Sequence, residues 1–210
     1  MLAAALLFSS AGRLDWMMGW TFIGSLAECI VTNALILFHV NPEVLPVRLE
    51  GSTGAKPWDI VIVWVTGSLQ LGSWLVAGLD TRFGWSEAIS EVWNIAALMA
   101  VAAGNFVTLW AMSVNKFCAR FVRVQAERGH HVIDTGPYRY VRHPGYVGWM
   151  LYCGATPIAL GSWWALIPAV AAIGGVVLRT MLEDKMLRAE LPNYKEYASR
   201  VRFRLLPGVR

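Results

Sequence analysis

Residues 125–149 read QAERGHHVIDTGPYRYVRHPGYVGW, and the rest of the chain is organised around them. This is the most polar and most basic interval in an otherwise apolar protein, and it holds His130, His131 and His143, three of the four histidines. Two proline turns, Gly136-Pro137 and His143-Pro144-Gly145, set its backbone, because proline fixes φ and glycine allows φ above zero. Between them, Tyr138-Arg139-Tyr140-Val141-Arg142 is dense in hydrogen-bond donors. A long apolar run starts immediately afterwards, at Tyr146. A rigid, basic, aromatic loop at the mouth of an apolar helix reads as a binding site and not as a linker.

Away from this loop the composition decides the class. Of 210 residues, 56% are hydrophobic and 15% charged, whereas soluble domains carry about a quarter charged residues. Charge-poor intervals long enough to cross a bilayer, which takes roughly 20 helical residues, recur along the chain. The sequence therefore predicts an all-α integral membrane protein of about five transmembrane helices, at 16–40, 58–79, 92–114, 146–161 and 163–182. Residues 1–114 form three N-terminal spans. Residues 115–210 form the region that carries the binding loop, and it comprises an amphipathic helix, the loop, a helical hairpin and a C-terminal tail. No soluble nucleotide-binding domain of ordinary size fits beside them.

Charge placement orients the chain. Lys116, Arg120, Arg123, Arg128, Arg139 and Arg142 stand against Glu127 and Asp134, and the tail ends with Arg200, Arg202, Arg204 and Arg210. By the positive-inside rule the loop and the C-terminus face the cytoplasm. Lysine and arginine beside anionic lipid account for these patches without a nucleic-acid partner. Cys29, Cys118 and Cys153 are scattered and have neither disulfide nor zinc spacing. Adjacent histidines cannot easily share one ion and no acid completes the set, so no metal is expected.

Several local expectations follow. Residues 2–8 are too short to span and read as an interfacial helix. Gly67, Gly72 and Gly78 are spaced for close helix packing, and Asn94, Gly104 and Asn105 read as contacts that join helices. Glu28 and Asn33 are polar positions inside a span. Phe117, Phe121 and Val124 recur at helical spacing opposite Arg120 and Arg123, which predicts an amphipathic helix on the membrane surface. Arg179 and Glu183 are four apart on one helix face, which predicts an ion pair near the helix end.

The stretch GHHVIDTGPYRYVRHPGYVG resembles the signature of the isoprenylcysteine carboxyl methyltransferase family, within the wider membrane phospholipid methyltransferases. Gly-Pro-Tyr-Arg and Arg-His-Pro-x-Tyr-x-Gly fall together at that family's spacing. Its second motif resembles Arg179, Glu183-Asp184, Leu187, Tyr194-x-x-Tyr197 and Pro207, with Asp184 in place of a second Glu and Pro192 in place of a Gly. The resemblance covers about the last 90 residues closely.

It implies an S-adenosylmethionine-dependent methyltransferase acting on a lipophilic acceptor, an isoprenylcysteine-type carboxylate or a similar lipid-like carboxylate or amine. The acceptor would enter from the bilayer between the last spans. It also implies cofactor contacts at His130, the Val132-Ile133 backbone, Tyr138, His143, Tyr146 and Glu183, with Gly136 in the same loop and Gln125 beside it. Arg179 would orient an acceptor carboxylate through its planar fork, and Glu183 would orient an amine and help remove its proton. His131 reads as facing solvent, and Trp149, Trp163 and Trp164 as interfacial anchors. Sterol reductases, which use NADPH, share a similar Gly-Pro-Tyr and Arg-His-Pro end. They continue with Asn-Tyr and an acid where this chain has Gly145-Tyr146-Val147-Gly148-Trp149. That departure favours the methyltransferase over a reductase or a non-catalytic membrane protein.

Overall fold

The computed structural model of the protein describes residues 2–206; Pro207, the end of the second motif, lies outside the described residues. All regular structure among them is helical: α1 (Leu2–Ala11), α2 (Met17–Val40), α3 (Val44–Leu49), α4 (Pro57–Phe83), α5 (Glu91–Val114), α6 (Pro144–Ala159), α7 (Leu166–Glu190) and α8 (Tyr194–Arg200). Four helices, α2, α4, α5 and α7, are long and apolar enough to cross a membrane. The fifth, α6, has 16 residues and reaches about 24 Å at 1.5 Å per residue. The five-helix expectation holds, with α4 and α7 each running several residues past their expected ends.

The helix ends follow local chemistry. Pro57 opens α4 with Asp59 in its first turn, where a missing N–H and a negative charge both suit a helix start. Gly84 closes it at φ 64. Pro144 opens α6, directly after His143. Because the five long helices alternate in direction, residues 41–56, 115–143 and the tail after Glu190 gather at one face. Exposed ion pairs bridge these segments: Lys56 to Glu190 at 2.7 Å, Arg123 to Glu50 at 2.5 Å and Arg128 to Glu43 at 3.3 Å. Singly such pairs contribute little.

Inside the bundle, α5 and α6 approach backbone to backbone. A Cβ on Gly104 would lie 2.6 Å from the Gly148 carbonyl oxygen and 2.8 Å from the Tyr152 nitrogen, the close approach that small residues permit in membranes. Asn94 donates to the Ile158 carbonyl at 2.7 Å, and Asn33 and Asn105 exchange amide hydrogen bonds. Asn94, Gly104 and Asn105 join helices, as their sequence positions predict, and Asn33 serves as the partner of Asn105. Of the three α4 glycines, only Gly78 meets a neighbour, against Leu7 and Ser10 of α1; Gly67 and Gly72 have nothing within 4 Å. Helix α1 packs on α4: Leu7 and Phe8 are buried in one cluster with Trp74 and Ala77 of α4.

The expected surface helix at 115–124 is absent. Phe117 and Phe121 are both buried, and the backbone between them is irregular. Its polar groups are committed elsewhere: the Val122 N–H donates to Asp59, the Arg120 carbonyl accepts from Arg179, and the Phe117 carbonyl accepts from Gln125. Those bonds replace the i to i−4 ladder that helical periodicity alone would suggest.

Helices α6 and α7 pack as the predicted hairpin, closed by the Cys153 thiol against the Ala169 carbonyl. Helix α4 leans on α7 and α1, and α5 on α6 and α2, while α4 and α5 hardly touch. Residues of both helices line the cavity described next, together with residues of the last two spans.

Candidate active site

A cavity of about 350 Å³ lies at the gathered face, under the loop and between the ends of α4, α5, α6 and α7. Small-molecule sites commonly fall in this size range. Its floor is a charged cluster carried by α7. Arg179 sets Nε on Asp59 Oδ1 at 2.6 Å and Nη2 on Asp59 Oδ2 at 3.1 Å, and also donates to the Arg120 carbonyl at 2.8 Å. The predicted partner, Glu183, instead accepts the Tyr146 hydroxyl at 2.5 Å. The Arg179 guanidinium lies 5.0 Å from the centroid of the Tyr146 ring, within cation–π range. The i,i+4 expectation fails because Asp59, fully buried at the start of α4, offers a planar two-point match that Glu183 cannot offer from the same helix. Asp59 is the site residue that sequence reasoning missed. Its signal was an acid inside the first turn of a span, which requires a partner.

With Arg179 paired to Asp59, the Glu183 carboxylate stands beside an aromatic face. That arrangement suits a cationic ligand group. Across the cavity, His143 stacks parallel to Tyr146 at 5.7 Å and 7°. It is buried, and its Nε2 stands 3.7 Å from Asp184, beyond hydrogen-bond reach.

Asp184 is the structural counterpart of Glu183. It takes Arg142 at two points, Arg188 at 3.0 Å and the Tyr194 hydroxyl at 3.0 Å, with Arg204 at 3.3 Å. The Arg142 and His143 amides in turn donate to the Phe203 and Arg204 carbonyls. The acid pair thus divides its work: Glu183 lines the cavity, and Asp184 clamps the loop and tail onto α7.

The loop supplies the remaining wall. His130 stacks on Phe117 at 4.4 Å, and its Nδ1 accepts the Gln125 N–H at 3.2 Å. Burial, reinforced by His131, pulls its pKa down to about 4, so the ring is neutral and presents Nε2–H. Val132 and Ile133 are half-buried along the cavity. Tyr138 accepts from the Asn115 amide at 3.0 Å, and burial raises its pKa well above 10, which keeps the phenol protonated. The Tyr197 hydroxyl holds the Tyr138 carbonyl at 2.8 Å.

Of the ten sequence-predicted site residues, eight line the cavity: His130, Val132, Ile133, Tyr138, His143, Tyr146, Arg179 and Glu183. Two stand behind it. Gln125 is fully buried, with its amide spent on the Phe117 carbonyl and on Arg128. Gly136, at φ 55, turns the loop against Trp110 and Val114. His131 is exposed at the cavity mouth, edge-on to Phe117. Trp149 lines the cavity, whereas Trp163 and Trp164 are half-exposed.

At its apolar end the cavity extends between Val63, Thr66 and Gly67 of α4 and Thr108 and Met112 of α5. A polar, aromatic chamber at one membrane face thus continues into an apolar slot at membrane depth. The chamber brings together a carboxylate, aromatic faces and hydroxyl groups, and these groups fit a cationic ligand.

Residues 92–193 match the model of the phospholipid methyltransferase family. The chain is similar to a probable protein-S-isoprenylcysteine O-methyltransferase of Oryza sativa, 25% identical over 60% of this chain and 67% of the rice protein. It is also similar to the protein-S-isoprenylcysteine O-methyltransferase of Schizosaccharomyces pombe, 26% identical over 61% of each chain. A third relative is the cobalt-zinc-cadmium resistance protein CzcN of Cupriavidus metallidurans, 27% identical over 68% of this chain and 59% of that protein.

Proposed function

We infer that this chain, a membrane methyltransferase related to the phospholipid and isoprenylcysteine methyltransferases, takes its methyl group from S-adenosylmethionine and passes it to a lipophilic carboxylate. The observation that carries this reading is the shape of the cavity. It has a charged, aromatic chamber at one membrane face and an apolar slot opening from it between α4 and α5. A water-soluble donor and a lipid-soluble acceptor need such a two-ended site. The concentration of arginine and lysine at that face, under the positive-inside rule, makes it cytoplasmic.

When bound, S-adenosylmethionine supplies a methyl group already activated on a sulfonium. The protein therefore has to align partners and exclude water. His130, Tyr138 and His143 offer ring faces and hydrogen-bonding edges to the adenosine end. Glu183, held by the Tyr146 hydroxyl, receives a ribose or amino group and favours the cation beside it. Arg179, braced by Asp59, presents its remaining Nη1 edge to the acceptor carboxylate. Val63, Gly67, Thr108 and Met112 guide the acceptor's apolar chain sideways out of the bilayer.

Calorimetry on detergent-purified protein tests this with S-adenosylmethionine and NADPH, on wild type beside His143→Ala and Glu183→Ala. Binding of S-adenosylmethionine alone, weakened by both substitutions, is expected. Binding of NADPH in its place would return the chain to the reductase reading.

A further inference from the structure

We propose that Arg48, on α3 in the connection between α2 and α4, is the counter-ion for a carboxylate of a ligand in this cavity. It lies outside the residues matched by the family, 92–193, and resting as it does on the methyltransferase reading, it gives the N-terminal half of the chain a direct part in the site.

The argument is one of unmatched charge. Four other arginines line the cavity, and three of them have carboxylate partners: Arg179 has Asp59, Arg142 has Asp184, and Arg123 has Glu50 and Glu127. The fourth, Arg120, is exposed and lies 5.5 Å from the ring centroids of both Trp64 and Phe121. Arg48 is half-buried in the cavity wall, and no acid pairs with it among the described residues. Its one side-chain hydrogen bond among them is a long contact from Nη1 to the Cys118 sulfur at 3.9 Å. A thiol is a weak acceptor, and a partly desolvated guanidinium without an anion is costly. The five donors of its planar fork match a carboxylate at two points.

Its place in the cavity is equally specific. The Cys118 thiol that it touches lines the same cavity as Glu183 and Arg179. Arg48 therefore shares one chamber with the residues proposed to hold the reacting groups. Arg179 has spent its two-point edge on Asp59, so a second cation is needed where two carboxylates meet. The proposed reaction brings two: the amino-acid end of the donor, and the acceptor itself. Both present the same chemistry to Arg48, and the experiment separates them.

The full chain in detergent, as wild type, Arg48→Met and Arg48→Lys, is titrated calorimetrically with two pairs of probes. The donor pair is S-adenosylmethionine and its decarboxylated analogue; the acceptor pair is N-acetyl-S-farnesylcysteine and its carboxamide. Wild type is expected to prefer the carboxylate member of at least one pair by tenfold or more. Arg48→Met should abolish that preference, and Arg48→Lys, which keeps charge without the fork, should keep only part of it. The pair that responds names the carboxylate. If Arg48→Met leaves both preferences at their wild-type values, or wild type shows none, the assignment of Arg48 is overturned while the methyltransferase reading stands. If wild type fails to bind S-adenosylmethionine at all, both fall together.

Discussion

Arg179 grips Asp59, 120 positions away in the sequence, and not Glu183 one turn along its own helix. The pair ties the start of α4 to the cavity-lining part of α7 and leaves Glu183 outside the ion pair. Asp59 is fully buried and the Arg179 side chain is 13% exposed. Removing one partner of such a pair costs about 3–5 kcal/mol in protein interiors, although the amide of Asp59→Asn keeps part of the contact. Asp59→Asn is expected to lower the thermal midpoint and cut methyl transfer more than tenfold. Glu190→Gln, which breaks only an exposed bridge to Lys56, should leave both nearly unchanged. Equal effects of the two substitutions would remove Asp59 from the site.

Tyr146 both lies under Arg179 and donates to Glu183. Tyr146→Phe keeps the ring and deletes the donor. Hydrogen bonds to charged groups are worth about 1.5–3 kcal/mol, so S-adenosylmethionine binding should weaken by roughly tenfold or more, with the fold retained. Calorimetry alongside a thermal melt checks this; unchanged affinity would mean that Glu183 is oriented without Tyr146.

Much of this site is legible in the sequence because its parts lie in two short, dense intervals. His130 to Tyr146 is punctuated by prolines and glycines that fix its path, and Arg179 to Glu183 is a charged stretch of an apolar helix whose charges must be put to use. The five long helices are legible because length and charge depletion alone mark them. The partner choice was not legible. Spacing shows that Arg179 and Glu183 share a face, but only the packing of α4 on α7 brings Asp59 within 2.6 Å. The same limit explains 115–124, where a helical pattern of aromatics lies on a backbone whose bonds go to Asp59, Arg179 and Gln125. Arg48 carries no motif and is significant only because the cavity reaches it.

The crossing of α5 and α6 carries a third prediction. Gly148 sits on the Gly104 carbonyl and the Thr108 backbone with no room for a methyl group. The obstructing atoms are mostly backbone, so they cannot rotate away. Gly148→Ala is expected to push α6 off α5 and move Tyr146, costing about 1–3 kcal/mol as overpacking does. Loss of donor binding with a lowered thermal midpoint is the expected result, whereas Gly72→Ala, with nothing within 4 Å, should be silent in both assays.

His130 gives the fold a pH dependence of defined sign. Its pKa falls from 6.5 to about 4, chiefly through burial and then through His131, Arg123 and Arg128, with Glu127 opposing. A group whose pKa is lowered on folding binds a proton more readily when unfolded, so stability falls as pH drops. The contribution is complete above about pH 6.5 and is lost between there and about pH 4. Protonation would also convert Nδ1, the acceptor of the Gln125 N–H, into a donor. Thermal midpoints measured from pH 7.5 to 4.5 should fall less steeply in His130→Gln than in wild type. Parallel curves would show that the ring titrates normally.

Gln70 presents the opposite case, a polar side chain whose removal should help. It lies on α4 one turn beyond Thr66, is 7% exposed, and neither its amide nitrogen nor its amide oxygen has a hydrogen-bond partner among the described residues. An unsatisfied buried polar group costs about 1–3 kcal/mol, and a leucine of similar volume would remove that cost without opening a cavity. Trp74, one further turn along the same face, also has a buried N–H without a partner, but its ring packs on Phe22 at 5.8 Å. Truncating it would therefore forfeit apolar contact that Gln70→Leu preserves. Gln70→Leu is expected to raise the thermal midpoint by several degrees, since about 1 kcal/mol moves a chain of this size by roughly 2–4 °C. A lowered midpoint would instead show that the amide is satisfied in the membrane, by an enclosed water or by a bound polar ligand reaching down the slot between α4 and α5. Repeating the melt with S-adenosylmethionine separates these two, because a ligand-borne partner would stabilise wild type more than the variant.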